Sequence, residues 1–454
     1  MRAELAIPLT LQAIICCCSG TNNGCKGDKL IFAICNDSRE LCPGDLYVAI
    51  KGEKFDGNNF CNYANSIGCL VLSENNFYPS VFVKSTRDAL LNIAKHYKSL
   101  LPSLKYTVGI TGSCGKTTTK EFLKLLCSTT FKVHSNAGNF NNEIGLAFTI
   151  LTSPKDTELL IAELGTNSPG EINRLSECLK ADIGIITNIG TSHIGAFGTR
   201  KNIAREKADI SKRCKITLCD YGEPLLCDIK NRVTVSATNP NSYYYVNANY
   251  VTQTESNIEY RKDGKKVFST ISKINAPHLI QNLAFSISAA SILGVTDEKI
   301  MLQTQKVNNS QMRHKIIEFP NFKVLDDSYN ASYESVKAAL EQLKLYSGKR
   351  SALLGDILEL GKESEYIHFK IGEAAYRSGI RNLYLYGEFA EIIKKGALTS
   401  GMNESQIFIN QSYPNINETV SQILENTVYG ETILFKASHK LNLDVIIKRL
   451  KEIT

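Results

Sequence analysis

Residues 106–119 read Tyr106-Thr107-Val108-Gly109-Ile110-Thr111-Gly112-Ser113-Cys114-Gly115-Lys116-Thr117-Thr118-Thr119. An apolar run at 106–110 passes through a glycine-rich loop into a segment whose Phe122, Leu123, Leu125 and Leu126 recur at helical spacing. Strand, glycine loop and helix start make a phosphate cradle. Gly112 and Gly115 lack Cβ atoms, so the loop can curl with its N–H groups inward, and the helix adds the positive end of its dipole. A nucleoside triphosphate is the expected guest, held by Gly112, Ser113, Cys114, Gly115, Lys116, Thr117 and Thr118. Lys116 would neutralise the terminal phosphates, and the Thr117 hydroxyl stands where such loops place a Mg²⁺ ligand. The usual pattern asks for glycine at 110, which is Ile here, so the loop is the variant Thr-Gly-x-x-Gly-Lys-Thr-Thr.

Around this loop the chain has 454 residues, which at roughly 150 per domain predicts about three domains. With 43% hydrophobic and 21% charged residues it reads as globular, and its net charge of +7 is not gathered into a basic run, which argues against nucleic acid. Eight of the 14 cysteines fall within the first 69 residues, yet there is no C-x-x-C and the first histidine is His96. That spacing predicts buried reduced thiols rather than a metal site or disulfides. Residues 5–18 are as apolar as the core of a leader peptide, but Glu4 spoils the basic start, Pro8, Thr10 and Gln12 interrupt the run, and no window has 18 apolar residues. A cytoplasmic chain with no stable membrane insertion is expected.

Residues 1–104 alternate short apolar runs, at 46–50 and 69–72, with Gly, Asn and Pro, as in a small α/β unit. Residues 105–314 form the expected ATP-binding domain, with further buried parallel strands at 159–162 and 183–187, and an antiparallel hairpin turning at Asp263-Gly264. Residues 315–454 alternate predicted strands at 322–325, 351–354, 383–386, 407–409 and 432–435 with helices, one of them striped by Val336, Ala339, Leu340 and Leu343. The fold class is α/β: a small N-terminal α/β domain, a mostly parallel P-loop-type sheet, and a doubly wound Rossmann-like C-terminal domain.

Glu163 and His193 each follow a predicted strand, where open parallel sheets present ligand-facing groups. Glu163 could hold the metal that accompanies ATP, and His193 could supply a second ligand, although a lone histidine more often packs or caps. Lys207, in Ala204-Arg205-Glu206-Lys207-Ala208, reads by itself as a surface helix lysine.

Their joint order resembles the Mur ligases of peptidoglycan assembly, and within that family the branch that adds D-alanyl-D-alanine. The likeness spans nearly the whole chain. Asp37-Ser38-Arg39, Pro43-Gly44-Asp45-Leu46 and Gly52-Glu53-Lys54-Phe55-Asp56-Gly57 are similar to the family's domain for the uridine nucleotide sugar. Gly138-Asn139-Phe140-Asn141-Asn142-Glu143-Ile144-Gly145 and Glu163-Leu164-Gly165-Thr166-Asn167-Ser168-Pro169-Gly170-Glu171-Ile172 carry the branch. The resemblance implies Thr117, Glu163 and His193 as Mg²⁺ ligands and Lys207 as a carbamylated lysine bridging a second metal. It implies Asn282 at the adenine, Arg313 at the phosphates and Asp327 at the ribose. Ser38, Arg39, Asn139, Asn141, Asn142, Tyr329 and Asn330 are the implied substrate contacts, and Gly355-Asp356-Ile357-Leu358-Glu359-Leu360-Gly361 is a further family segment. Leu279, Met312, Ser332-Tyr333 and Ala437-Ser438-His439 depart from the family pattern, in which Asn, Gly, Asn-Pro and Gly-Ser-Arg are usual.

The implied reaction is ATP-dependent: the carboxylate of UDP-N-acetylmuramoyl-tripeptide becomes an acyl phosphate, which the amine of D-Ala-D-Ala attacks, in a monomeric enzyme with ATP and Mg²⁺. Its catalytic set would be Lys116, Glu163, His193, Lys207 and Arg313. The competing readings are another Mur-type or folylpolyglutamate-type amino-acid ligase, and a nucleotide-binding module that has lost turnover.

Overall fold

The strand that feeds the phosphate loop, Tyr106–Thr111, lies inside a nine-stranded sheet, between Leu159–Glu163 and Ile183–Ile186. All three are buried along their length apart from Tyr106, as expected of continuous apolar runs covered on both faces. The computed structural model describes residues 1–52, 55–251, 255–274, 276–308, 315–410 and 414–454, with the side chain of residue 250 set aside. Parallel strands extend on both sides of Tyr106–Thr111, to Val133–Ser135 on one side and through Ile216–Asp220 and Arg232–Ser236 to Tyr244–Tyr250 on the other. Chain order reverses at Tyr106–Thr111, so its carboxyl end is a topological switch point, where open sheets bind ligands. The far edge is an antiparallel meander in which Ser256–Lys262 and Lys265–Ser272 turn at Asp263 and Gly264, both at positive φ as a two-residue hairpin turn requires.

The N-terminal sheet has six strands in the order Arg2–Thr10, Leu30–Cys35, Leu46–Val48, Leu70–Ser73, Ser80–Phe82 and Thr21–Asn23. The apolar stretch 5–18 is the end of the strand Arg2–Thr10 followed by the helix Leu11–Cys18, with Leu5, Leu9, Leu11, Ile14 and Cys18 in the core. The helix Thr86–Ser99 of this unit packs on the central one, where Asp88 pairs with Arg174 and Lys95 with Glu177 at 2.8 Å.

The C-terminal sheet runs Lys315–Glu318, Phe322–Asp326, Glu431–Lys436, Arg350–Gly355, Leu383–Tyr386 and Ile407–Ile409, parallel except for its first edge strand. The carboxyl ends of Phe322–Asp326, Glu431–Lys436 and Arg350–Gly355 lie side by side. All 14 cysteines are free. Seven are buried as expected, and burial pushes the Cys127, Cys178 and Cys219 thiols up to about 12, but Cys16, Cys42 and Cys227 are exposed. Among the described residues no helix is long and apolar enough to cross a membrane.

Candidate active site

Gly112 at φ +151° and Gly115 at φ +81° turn the loop in conformations L side chains rarely adopt. Space forbids a side chain as well: a Cβ at Gly112 would run into Thr187 Oγ1, and one at Gly115 would lie 2.5 Å from Asn282 Oδ1. The segment after the next strand braces the loop. Asn188 Oδ1 accepts from the backbone N–H groups of Ser113 (3.0 Å) and Cys114 (2.9 Å), Thr187 Oγ1 donates to the Cys114 carbonyl (2.6 Å), and the Gly190 N–H donates to Ser113 Oγ (2.8 Å). Lys116 folds back, donating from Nζ to the Gly112 carbonyl at 2.7 Å. These bonds fix the curl of the loop, occupy its Ser113 and Cys114 N–H groups, and hold the Lys116 ammonium against it.

Glu163 closes one side. It is the last residue of its strand and is 2% exposed, and its carboxylate is held at both oxygens: Thr117 Oγ1 donates to Oε2 (2.7 Å) and Asn141 Nδ2 to Oε1 (2.9 Å). Beneath it, Lys120, one helical turn after Lys116 and 1% exposed, donates to the Asn136 carbonyl at 2.6 Å. Asn136 Oδ1 in turn accepts the Glu163 N–H at 2.9 Å. Lys120 and Asn136 thus fix the segment that delivers Asn141.

Lys207 is not on the surface. It is 3% exposed on the helix Arg200–Ala208, and burial, reinforced by the charge of Lys116, brings its amine down to about 7. His193 stands at φ +60° before the short helix Ile194–Phe197. Burial lowers its pKa, against the opposing pull of Glu359, whose carboxylate pairs with Nδ1, while Lys116 and Lys207 push the same way as burial. Glu163 thus touches Thr117, and the Lys116 charge is felt at both His193 and Lys207.

The other expected residues are spread more widely. Asn282 is buried against Gly115. Arg313, like Met312, Glu53 and Lys54, lies outside the described residues. Asp327 is buried, with Oδ2 2.5 Å from the Nζ of Lys436, which also donates to the Asn330 carbonyl at 3.0 Å. The Tyr329 ring meets His439 edge-on at 5.5 Å, and Asn142 caps the helix Glu143–Leu151. Asn139 is exposed, and Arg39, exposed in the N-terminal unit, forks onto Asp37 at 2.9 and 2.6 Å beside Ser38. Ser332, where the family usually has Asn, caps the helix Tyr333–Leu343 in a capping box with Ser335.

Donor chemistry fits a small divalent cation. Thr117 Oγ1 and Glu163 Oε2 are hard oxygens that already meet, the type Mg²⁺ takes while keeping waters and phosphates in the rest of its shell. Among the described residues no group of three or more His, Cys, Asp or Glu side chains is gathered to hold a metal, so these donors would supply only part of that shell.

Residues 110–290 match the Mur ligase middle domain and residues 312–439 the Mur ligase glutamate ligase domain. Over 442 residues, 93% of this chain and 94% of the relative, the sequence is 32% identical to the UDP-N-acetylmuramoyl-tripeptide–D-alanyl-D-alanine ligase of Bacillus subtilis. The chain belongs to the Mur ligase family. Its fold agrees over full length: MurF from Acinetobacter baumannii superposes with a TM-score of 0.89 at 25% identity, covering 99% of this chain and 100% of that one. MurF from Thermotoga maritima in complex with ADP superposes at 0.82 with 26% identity, covering 92% and 97%. Five residues of this Mur ligase that surround the site, Lys120, Asn136, Asn188, Glu334 and Lys436, carry no local motif. Lys120, Asn136 and Asn188 act through a backbone carbonyl, a backbone N–H or the loop's own amides, Glu334 through the Thr191 hydroxyl and Lys436 through Asp327, contacts that only the fold creates.

Proposed function

We propose that this Mur ligase joins D-Ala-D-Ala to the terminal carboxylate of UDP-N-acetylmuramoyl-tripeptide, releasing ADP and phosphate from ATP, as a monomer in the cytoplasm. The observation that carries the reading is the contact of Asn141 with Glu163: a residue of the branch-specific segment 138–145 grips the carboxylate at the mouth of the ATP cradle. Residues 1–104 would hold the uridine nucleotide, 105–314 the ATP, and 315–454 the dipeptide.

Amide formation from a carboxylate is uphill in water, so the carboxylate needs a leaving group. A tripeptide carboxylate oxygen attacks the γ-phosphorus of ATP, the bond to ADP breaks, and an acyl phosphate forms. The dipeptide amine then attacks the carbonyl carbon, phosphate leaves, and the amine loses its proton. The difficulty is bringing two anions together, so positioning and charge neutralisation dominate. Lys116 would exchange the Gly112 carbonyl for phosphate oxygens, and Arg313 would add a second cation. Mg²⁺, held by Thr117, Glu163 and His193, would supply further charge neutralisation at the phosphates. An amine with a pKa of about 7 is roughly half neutral at pH 7, far more than an ordinary lysine, and the neutral form of Lys207 could take up CO₂, giving a carbamate and releasing one proton. That converts a buried cation into an oxygen ligand for a second ion. Closure of the third unit over the other two, with hinges at 101–103 and 311–320, of which 311–314 lie outside the described residues, would exclude water from the acyl phosphate.

Phosphate release with Mg·ATP, adding the UDP-tripeptide and D-Ala-D-Ala separately and together, tests this. Release that needs both, and that is lost in Lys116→Ala, supports the ligase. Nucleotide binding without turnover under any pairing favours the module that has lost its chemistry.

A further inference from the structure

The segment 187–195 of the central unit, which braces the phosphate loop at one end, touches the third unit at the other. Thr191 Oγ1 donates to Glu334 Oε2 at 3.1 Å, and a Cβ on Gly190 would lie 2.7 Å from the Glu334 carboxylate. Two residues on, His193 Nδ1 pairs with Glu359 Oε2, and the Gly195 N–H donates to the Glu359 carbonyl at 3.0 Å. Backbone meets backbone here: a Cβ on Gly195 would lie 2.8 Å from the Glu359 carbonyl oxygen and 2.9 Å from the Gly361 nitrogen, and one on Gly361 would lie 3.0 Å from Gly195 Cα. His193 and Glu359 are both left-handed, at φ +60° and +65°.

Stability does not explain this arrangement. The Glu359 side chain is 54% exposed, so its ion pair contributes little, whereas each left-handed non-glycine residue carries a backbone cost. Orientation does explain it. A carboxylate that accepts from Nδ1–H fixes the tautomer with its lone pair on Nε2 and holds the ring plane, as carboxylates commonly do for metal-ligating histidines.

We infer that Glu359 is a positioning residue for His193, supplied by the third unit, so that His193 is aimed at a metal only when that unit is docked on the central one. Metal binding and domain docking are thereby coupled through one hydrogen bond, each favouring the other. The inference rests on His193 being a metal ligand, as proposed above.

The test is Mn²⁺ binding, read by electron paramagnetic resonance, with a non-hydrolysable ATP analogue bound. Glu359→Gln removes the charge that orients the ring, and Gly195→Ala blocks the close approach without touching either side chain. Both variants are expected to weaken Mn²⁺ about ten- to a hundredfold, with metal-free nucleotide affinity within twofold of the wild type. In a His193→Ala background, Glu359→Gln is expected to change Mn²⁺ affinity no further. Unchanged Mn²⁺ affinity in both single variants at an unshifted melting temperature would overturn the inference, as would an equal loss from Glu359→Gln with and without His193. The readout needs no peptide substrate, so failure of the ligase reading and failure of this inference are separate results.

Discussion

Thr117 Oγ1 donates to Glu163 Oε2 at 2.7 Å, joining the first turn of the helix Lys116–Cys127 to the last residue of the strand Leu159–Glu163. One oxygen from a helix's first turn and one from a strand end thus meet at one point. Thr117→Ala and Glu163→Gln should each lower kcat at least about a hundredfold, the scale of losing one preorganised electrostatic group, and raise the Mg²⁺ concentration needed for half-maximal rate. Steady-state kinetics across a Mg²⁺ titration checks this. Wild-type Mg²⁺ dependence in both variants would detach the pair from the metal.

Gly115→Ala places a Cβ at φ +81° against Asn282 Oδ1. The loop must deform, so nucleotide affinity should fall by more than about tenfold, which corresponds to roughly 1.4 kcal/mol. Titration with a fluorescent ATP analogue measures it, and circular dichroism should stay native because the strain is confined to the loop.

Lys207 ties pH to chemistry. Its folded pKa of about 7 lies below the ordinary 10.5 because burial, then the Lys116 charge, disfavours the cation. Between those values the unfolded chain holds a proton that the folded chain has released, so this group makes stability rise with pH across that window, and below about 7 its full penalty applies. The neutral amine is also the form that takes up CO₂. Carbon-13 NMR with labelled bicarbonate should show a carbamate that grows as pH rises through about 7, absent in Lys207→Arg. Turnover lost below that pH should return with added bicarbonate.

Lys436 and Asp327 form a buried pair at 2.5 Å, with their side chains 2% and 10% exposed. Removing one partner takes the opposite charge away from a buried one, so Lys436→Met should destabilise the third unit by about 3–5 kcal/mol in urea denaturation. Asp327→Asn combined with Lys436→Met should recover much of that loss. A single variant as stable as the wild type would show that Asp327 is solvated there.

Legibility followed burial. Runs 106–110, 159–162 and 183–187 could be read as strands because both sheet faces demand apolar residues, and the Asp263-Gly264 turn announced its hairpin. The edge strand Lys315–Glu318 escaped notice because half-exposed edges carry no such run. Residues 5–18 resembled a leader because a strand and a helix that each set one face into the core give an equally apolar run. Lys207 looked like a surface lysine, since what buries it is packing from elsewhere in the chain. Glu359 was visible as part of a family segment, but its partner His193 lies 166 positions earlier, a relation only the fold creates.

The most direct measurement follows an oxygen atom. With the terminal carboxylate of the UDP-tripeptide labelled with ¹⁸O, turnover with Mg·ATP and D-Ala-D-Ala should place one labelled oxygen in each phosphate released, because that oxygen bonds to the γ-phosphorus and departs with it. Label found in AMP, or peptide formed with unlabelled phosphate, would contradict the acyl phosphate route at Lys116 and Thr117.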